Sequence, residues 1–511
     1  MRKSNRMLGS VSYVMIIMIF SRLLALLSTQ VYMSFYGLDS FLNIYSYAIT
    51  VPNTIFNCFG TALSTVVIPI YAGHLAKGDD LKADRFADNI ISVATAFTLI
   101  LVFLGMAVSP LIVKLTAFTE PAEYSFAVKS LWIIMPVMLF YGLNYIFQGM
   151  LQSKGKYGWP AFVSVPSSLV VIGYVFFLGD RFGIIGLLVA TLIGLAMQAI
   201  ILIPPLMRTG YRYKPNFSLK NDDMKNAGRM TLNVLVGVSA YQLNMFYNVT
   251  MISNFEGMTT LLTYVQNIVV YMVLAFVYSI TAVLYPKLTE KAAVGDMEGY
   301  KSSLTTVLSN VMLLLIPITV GFIVVRSPLL ELIANWGKIT DTDIERAAML
   351  VIMYSIGIVG IGAKEILDRA FYALKDTKTP AVNGFVVMAV NIALSLILIK
   401  VIGAYGIPLA YSVASLTGSV VLMVRLRGKI GGYLSGFFAK FIKGAIAAAV
   451  MGIVTYFTVA WLGLLLPYTG IMARILKLII PAGVGVIVYG IMLIVLKVDV
   501  VYSAVKKFLK R

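Results

Sequence analysis

The chain has 511 residues, 59% of them hydrophobic and only 12% charged, with a mean hydropathy of +0.90. Such a composition belongs to polytopic membrane proteins and excludes a soluble globular core. One Cys (Cys58) and one His (His74) exclude a disulfide framework, a zinc site and a Cys/His dyad, and the net charge of +19 has to be placed along the chain before it points to a partner.

The sequence predicts an all-α polytopic membrane protein, with about fourteen apolar spans between Ser10 and Lys497, each suited to a hydrocarbon core about 30 Å thick. Met1 to Leu27 has the basic start and apolar run of a signal peptide. The run is too long, is broken by Arg22 and lacks a small-residue cleavage site, so it reads as a retained first helix. The first span, from Ser10 to Tyr36, puts Arg22 near its middle, where a charge is costly and turns to a bundle interior or a watery cavity. Thr29 shares its face.

The second span carries Ser46, Asn53, Asn57, Thr61 and Ser64 at helical spacing, a polar face suited to a cavity. Lys129, toward the outer side of the fourth span, reads equally well as an interface anchor. Span seven contributes Asn233, Gln242, Asn244 and Asn248, and span eight Tyr264, Asn267, Tyr271 and Tyr278. Any one of these amides reads as interhelical glue. As a set, concentrated in the first two spans of each half, they are expected to line one cleft, where aromatic faces beside amides suit sugar rings. The tyrosines read equally as packing residues.

Lys364, Glu365, Asp368 and Arg369 close span ten as two i,i+4 pairs, either a salt-bridged helix end or an inner gate that breaks and reforms. Asp376, Thr377 and Thr379 follow in a turn before Pro380. His74 flanks a helix end and reads as solvated. The absence of a Walker A loop, an H-E-x-x-H motif or a spaced Ser/His/Asp set predicts a transporter and not an enzyme. No cofactor is expected, and the driving force is expected to be the membrane potential or an ion gradient.

The chain also repeats itself. Ser109-Pro110-Leu111 recurs as Ser327-Pro328-Leu329, and Pro69 with Gly78-Asp79 recurs as Pro286 with Gly295-Asp296. Gly142, Pro160-Ala161, Gly183, Gly186 and Ala190 recur at a constant offset of 220 as Gly362, Pro380-Ala381, Gly403, Gly406 and Ala410. The predicted domains are an N-terminal six-helix lobe over 1–206, a basic cytoplasmic linker over 207–221 and a second six-helix lobe over 222–426. Two additional transmembrane helices and a basic cytoplasmic tail fill 427–511. An even number of spans per half makes the repeat parallel, with an axis along the membrane normal.

Most of the 41 basic residues fall on alternate connections, from Arg2, Lys3 and Arg6 through Arg208, Arg212, Lys214 and Lys220 to Lys506, Lys507 and Arg511. This is the positive-inside pattern with both termini cytoplasmic. The basic surplus then faces anionic membrane lipids and not nucleic acid.

Three stretches resemble one family. Phe20-Ser21-Arg22, Val51-Pro52-Asn53 and above all the string from Arg369 through Ala-Phe-Tyr-Ala-Leu-Lys to Asp376-Thr377-Lys378-Thr379-Pro380 resemble the MurJ (MviN) family of lipid II flippases. That family belongs to the superfamily of multidrug, oligosaccharidyl-lipid and polysaccharide exporters. The resemblance implies a V-shaped pair of lobes in the bacterial cytoplasmic membrane. They carry undecaprenyl-diphosphate-linked saccharide-peptide (lipid II) from the inner to the outer leaflet by alternating access, with cell-wall synthesis proteins as further partners. It also implies cavity arginines on the diphosphate. Arg22 is carried over, whereas Ser28, Thr29, Phe56 and Asn267 stand where the family has a second span-one arginine, its neighbouring acid, a span-two arginine and a span-eight arginine.

The expected substrate cavity is therefore Arg22, Thr29, Asn53, Asn57, Gln242, Asn244, Asn267 and Tyr271. The expected gate is Lys364, Glu365, Asp368, Arg369 and Asp376. The missing arginines keep an exporter of another polyprenyl-diphosphate-linked glycan as an alternative. A cation-coupled drug exporter would want cavity acids, of which the first two spans of each lobe offer little beyond Asp39. A non-transporting scaffold would have no use for Arg22.

Overall fold

The computed structural model describes residues 2–218, 221–466 and 470–498, and the side chains in those ranges except at 2–16, 18–19, 61–62, 64–66, 232–234, 236–237 and 282–283. Every regular element among the described residues is helical. In chain order these are α1 (Arg2–Tyr36), α2 (Ser40–Ala76), α3 (Asp80–Val113), α4 (Pro121–Ile134), α5 (Val137–Ser153), α6 (Gly158–Phe162), α7 (Val165–Ile200), α8 (Ile203–Met207) and α9 (Asp222–Ile252). There follow α10 (Met258–Gln266), α11 (Met272–Ala293), α12 (Met297–Ile333), α13 (Asp341–Ser355), α14 (Ile358–Ala373), α15 (Lys378–Ile402), α16 (Gly406–Ile430), α17 (Phe437–Leu465) and α18 (Ile471–Val495). A π-helical turn, Asn267–Tyr271, joins α10 to α11.

Helices satisfy every backbone polar group internally, the condition for crossing lipid. Among the described residues eight helical segments are long and apolar enough to cross a membrane, or nine if α13 and α14, bent by 41° at their junction, count as one. Two of the eight, Gly158–Met207 and Lys378–Ile430, have 50 and 53 residues. At 1.5 Å per residue each is about 75 Å long, more than twice the hydrocarbon core. Each is broken at a glycine in a conformation closed to other residues: Gly183 at φ 55, ψ −149 and Gly403 at φ 61, ψ −138.

These glycines lie 220 positions apart, so the repeat read from sequence is also a repeat of backbone geometry. The turns after α5 and α14 agree as closely: Lys156 N–H donates to Leu151 O in one, and Asp376 N–H to Phe371 O in the other. Asp79 and Asp296, again equivalent, each cap the helix that follows by accepting a backbone N–H, from Lys82 and Gly299.

The chain forms two compact units, 1–260 and 261–511. The sequence divides the lobes at 206 and 222, whereas the compact units divide beyond α9, because α9 packs along α2. In the first unit α2 also packs on α4 and α5, and α1 on α6 and α7. Its buried cluster centres on Val67, Tyr71, Phe86, Ile146, Met150, Leu206, Tyr211 and Met224. In the second unit α15 pairs with α16, α11 with α14, and α12 with α17 and α18. The tail beyond Val498 lies outside the described residues.

Candidate functional site

In the first unit, Ser21 anchors α1 by donating from its hydroxyl to Ala161 O on α6, 3.1 Å away. At the far end of α1 the Tyr36 hydroxyl reaches Gly179 O and Gly183 O, both at 3.2 Å. Arg22 therefore sits beside the start of the α6–α7 span, about 21 Å below Tyr36 along the helix axis. α1 runs from Arg2 to Tyr36, and Arg22 lies near the middle of that helix. Arg22 is exposed, between Phe20 and Leu23, and makes no ion pair or hydrogen bond among the described residues. Thr29, two turns on, is half-buried and returns its hydroxyl to Ala25 O at 3.1 Å.

The polar stripe of α2 divides in two. Ser46 is buried and bonds the Thr260 hydroxyl at 2.7 Å, and Tyr47 reaches the Thr250 hydroxyl at 3.4 Å, so this part is helix glue and does not line a cavity. One turn and more along, Asn57 Nδ2 donates to Asn53 Oδ1 at 2.9 Å, and the Tyr145 hydroxyl donates to Asn57 Oδ1 at 3.1 Å. Both asparagines stay half-exposed, and the Asn53 amide N–H₂ has no partner among the described residues. Thr61, Ser64 and Asn233 lie outside the described side chains. Gln242 and Asn244 on α9 are buried, Asn244 at 2% exposure, and so is Asn248. Their burial in α9 fits packing in this conformation more than presentation to open space.

Phe56 is fully buried, with its ring centroid 6.1 Å from that of Tyr141 and 6.4 Å from that of Tyr145. An aromatic stack thus occupies the place where the family resemblance implies an arginine. His74 is not simply solvated: Nε2 lies 2.9 Å from Asp223 Oδ2, joining the end of α2 to the start of α9. Lys129 is exposed, in keeping with an interface anchor.

In the second unit, Asn267 and Tyr271 bracket the π turn. An inserted residue in a helix leaves backbone carbonyls displaced, a feature that recurs at functional sites. Asn267 Nδ2 satisfies Thr263 O at 2.8 Å, and both residues are half-exposed. Tyr264, by contrast, is 2% exposed and bonded to Ile333 O, a packing residue.

Both predicted ion pairs of α14 are present: Lys364 Nζ to Asp368 Oδ2 at 2.6 Å, and Arg369 to Glu365 Oε1 through Nε at 3.1 Å and Nη2 at 2.9 Å. Their spacing places both on consecutive turns of one helix. A cavity of about 360 Å³ opens beside Arg369, lined also by Tyr278, Thr281 and Tyr285 of α11. It combines two aromatic rings, hydroxyls and one guanidinium edge.

Asp376 does not join that cluster. It caps α15 by accepting Thr379 N–H and O–H, at 3.0 and 2.8 Å, and pairs with Lys429 at the end of α16, at 2.8 Å. Partial burial would push its carboxyl up, but Lys429 and the two Thr379 donors outweigh this and lower it to about 2. Sequence reasoning missed Tyr145, Lys429 and Tyr285, all contributed by helices distant in sequence. The one available signal was the i, i+3, i+7 spacing of Tyr278, Thr281 and Tyr285 along a single stripe.

Long apolar helices in two halves with repeated turns, set with half-exposed amides and ion pairs, define a polytopic helical membrane protein of transporter architecture. A solved lipid II flippase MurJ in an inward closed conformation has the same fold, with a TM-score of 0.79 over 96% of this chain and 99% of that chain at 23% identity. A multidrug resistance MATE family transporter of the MOP superfamily, inward-facing, matches over 80% of this chain and 94% of its own, with a TM-score of 0.67 and 14% identity.

The family described as lipid II flippase MurJ matches residues 33–499, and the chain belongs to that family. Its relatives include a probable lipid II flippase MurJ of Thermotoga maritima, 26% identical over 85% of this chain and 87% of the relative. One of Vibrio cholerae is 25% identical over 82% of each. The chain is thus an integral membrane transporter and not an enzyme.

Proposed function

We propose that the chain carries lipid II, the lipid-linked peptidoglycan precursor, from the inner to the outer leaflet of the bacterial cytoplasmic membrane by alternating access. The observation that supports this most is the family match, which runs unbroken from the end of α1 to beyond α18. Fourteen crossings follow if the eight apolar segments are divided at Gly183 and Gly403, α13 with α14 is counted as one, and α1, α2 and α9 are each counted once, with both termini cytoplasmic by the distribution of basic residues. Arg22 is the diphosphate contact in this reading, since an exposed, unpaired guanidinium offers a planar bidentate fork to phosphate oxygens. Asn53, Asn57, Thr29, Asn267 and Tyr271 supply hydroxyl-matching polar groups. The Glu365–Arg369 and Lys364–Asp368 pairs form a latch on α14. With no nucleotide loop in the sequence, the membrane potential or an ion gradient drives the cycle. One unit charge moved across 100 mV is worth about 2.3 kcal/mol.

The stack of buried Phe56 with half-buried Tyr141 and Tyr145 favours a second reading, export of a different polyprenyl-diphosphate-linked glycan, because it replaces a cationic contact with an aromatic one. Complementation of a strain depleted of its lipid II flippase separates the two. Restored growth supports lipid II; stable expression without rescue supports another glycan.

A further inference from the structure

The segment 211–218, which follows the apolar span Gly158–Met207, has no regular secondary structure and is held along one face of α3. Asp88 Oδ1 accepts the Tyr211 hydroxyl at 2.7 Å and Lys214 N–H at 3.0 Å. Ser92 Oγ bonds the Tyr213 hydroxyl at 2.8 Å and accepts Asn216 N–H at 3.2 Å. Asn89 holds Ser218 from both sides, donating to its carbonyl at 2.6 Å and accepting its N–H at 2.8 Å. Three side chains within about one turn of α3 thus hold the backbone of a strap that has no partner strand among the described residues.

What the clamp turns outward is Arg212, Lys214 and Pro215, all exposed, with the Tyr213 ring 47% and Phe217 67% exposed. A rigidly held stretch alternating cations with outward aromatic rings is the composition of a membrane interface, where rings sit at headgroup level and cations meet lipid phosphates.

Depth agrees. The lipid-facing band of α3 starts at Phe97 and continues through Ile100, Phe103 and Leu104, which are 42%, 58%, 69% and 55% exposed. Ser92 lies about 7.5 Å before Phe97 along the helix axis. The headgroup layer on each side of the hydrocarbon core is about 5–7 Å thick. Asn89 and Asp88 lie about 12 and 13.5 Å before Phe97, so the part of the strap held by Ser92 reaches the outer edge of that layer.

We propose that residues 211–218 are a headgroup-docking strap, in which Arg212 and Lys214 engage the phosphates of anionic lipids and the Phe217 ring enters the headgroup layer. The strap fixes the α8 end of one span relative to the inner leaflet. The proposal concerns lipid and stands apart from the identity of the cargo.

The test uses the full chain in lipid nanodiscs, with Cys58→Ser and a nitroxide on Phe217→Cys, read by power saturation with oxygen and with a water-soluble nickel chelate. In discs containing phosphatidylglycerol the label should be oxygen-rich and nickel-poor. A control label on the exposed Leu81→Cys, near the start of α3, should be fully aqueous. Arg212→Gln with Lys214→Gln should lower the docked-to-free ratio on the order of 30-fold, two surface charges at about 1 kcal/mol each. In purely zwitterionic discs that pair of substitutions should have little effect. A label on Tyr213→Cys gives a second reading should Phe217→Cys fold poorly. Aqueous accessibility at 217 and 213 equal to that at 81 in both kinds of disc would overturn the proposal. So would a lipid contact indifferent to the two cations, and neither result bears on which lipid-linked glycan is transported.

Discussion

The latch on α14 is best probed by exchanging its charges. Glu365 is 17% exposed in its side chain and Arg369 38%, and two nitrogens of Arg369 donate to one oxygen of Glu365. Removing either partner leaves a largely desolvated charge unmatched, which costs about 1–3 kcal/mol for a buried group. The exposure of Arg369 lowers this to about 1–2 kcal/mol, since water screens the open side. Glu365→Arg and Arg369→Glu alone should each destabilise the second unit by that amount. At about 2–4 °C per kcal/mol for a cooperative unit of this size, each should lower the melting temperature of the detergent-purified protein by several degrees. The double exchange should recover about 1 kcal/mol of the summed loss, measured as the coupling in a double-mutant cycle. Complementation scored on the same four proteins separates stability from gating. If the double exchange melts like wild type yet fails to support growth, one of the two charges has a second partner during transport. Strict additivity of the two single effects would refute the claim that these residues act as a pair.

Three further outcomes follow from the geometry. Asp376 has its carboxyl lowered by Lys429 and Thr379, so it contributes stability above about pH 4 that is lost as pH falls toward 2, about 1–2 kcal/mol in all; acid unfolding of Asp376→Asn, followed by fluorescence, should lack that component. Gly360 sits where a Cβ would meet Leu416 N at 2.7 Å, a backbone atom that cannot swing away, so Gly360→Ala should push α14 from α16, cost about 1–3 kcal/mol and lower transport in a proteoliposome assay. Gly183→Ala and Gly403→Ala should each cost about 1 kcal/mol or more from backbone strain alone, by chemical denaturation, and an effect at only one of them would break the equivalence of the two kinks.

Much of the architecture was legible because it rests on local patterns. Apolar length gave the helices, and the spacing of Pro, Gly and Asp gave the repeat, now seen as matching breaks at Gly183 and Gly403 and matching caps at Asp79 and Asp296. The i,i+4 pairs of α14 were legible for the same reason. The packing of α9 on α2 was not, since nothing local marks which neighbour a polar helix chooses; Ser46 looked like cavity lining until Thr260 proved to be its partner. Asp376 read as part of the latch by its position in the chain, but Lys429, fifty-three residues on, takes it instead. His74 shows the same limit, since its partner Asp223 comes from another helix.

In the proposed function this chain moves a polyprenyl diphosphate with Arg22 in contact with the phosphates. The most direct measurement reconstitutes the purified protein in liposomes with fluorescent lipid II and an imposed membrane potential, and follows the appearance of the headgroup at the opposite leaflet. Wild type should transfer lipid II, Arg22→Lys more slowly because a point charge replaces the bidentate fork, and Arg22→Ala only at the rate of empty liposomes. Lipid II transfer by Arg22→Ala at the wild-type rate would contradict the account.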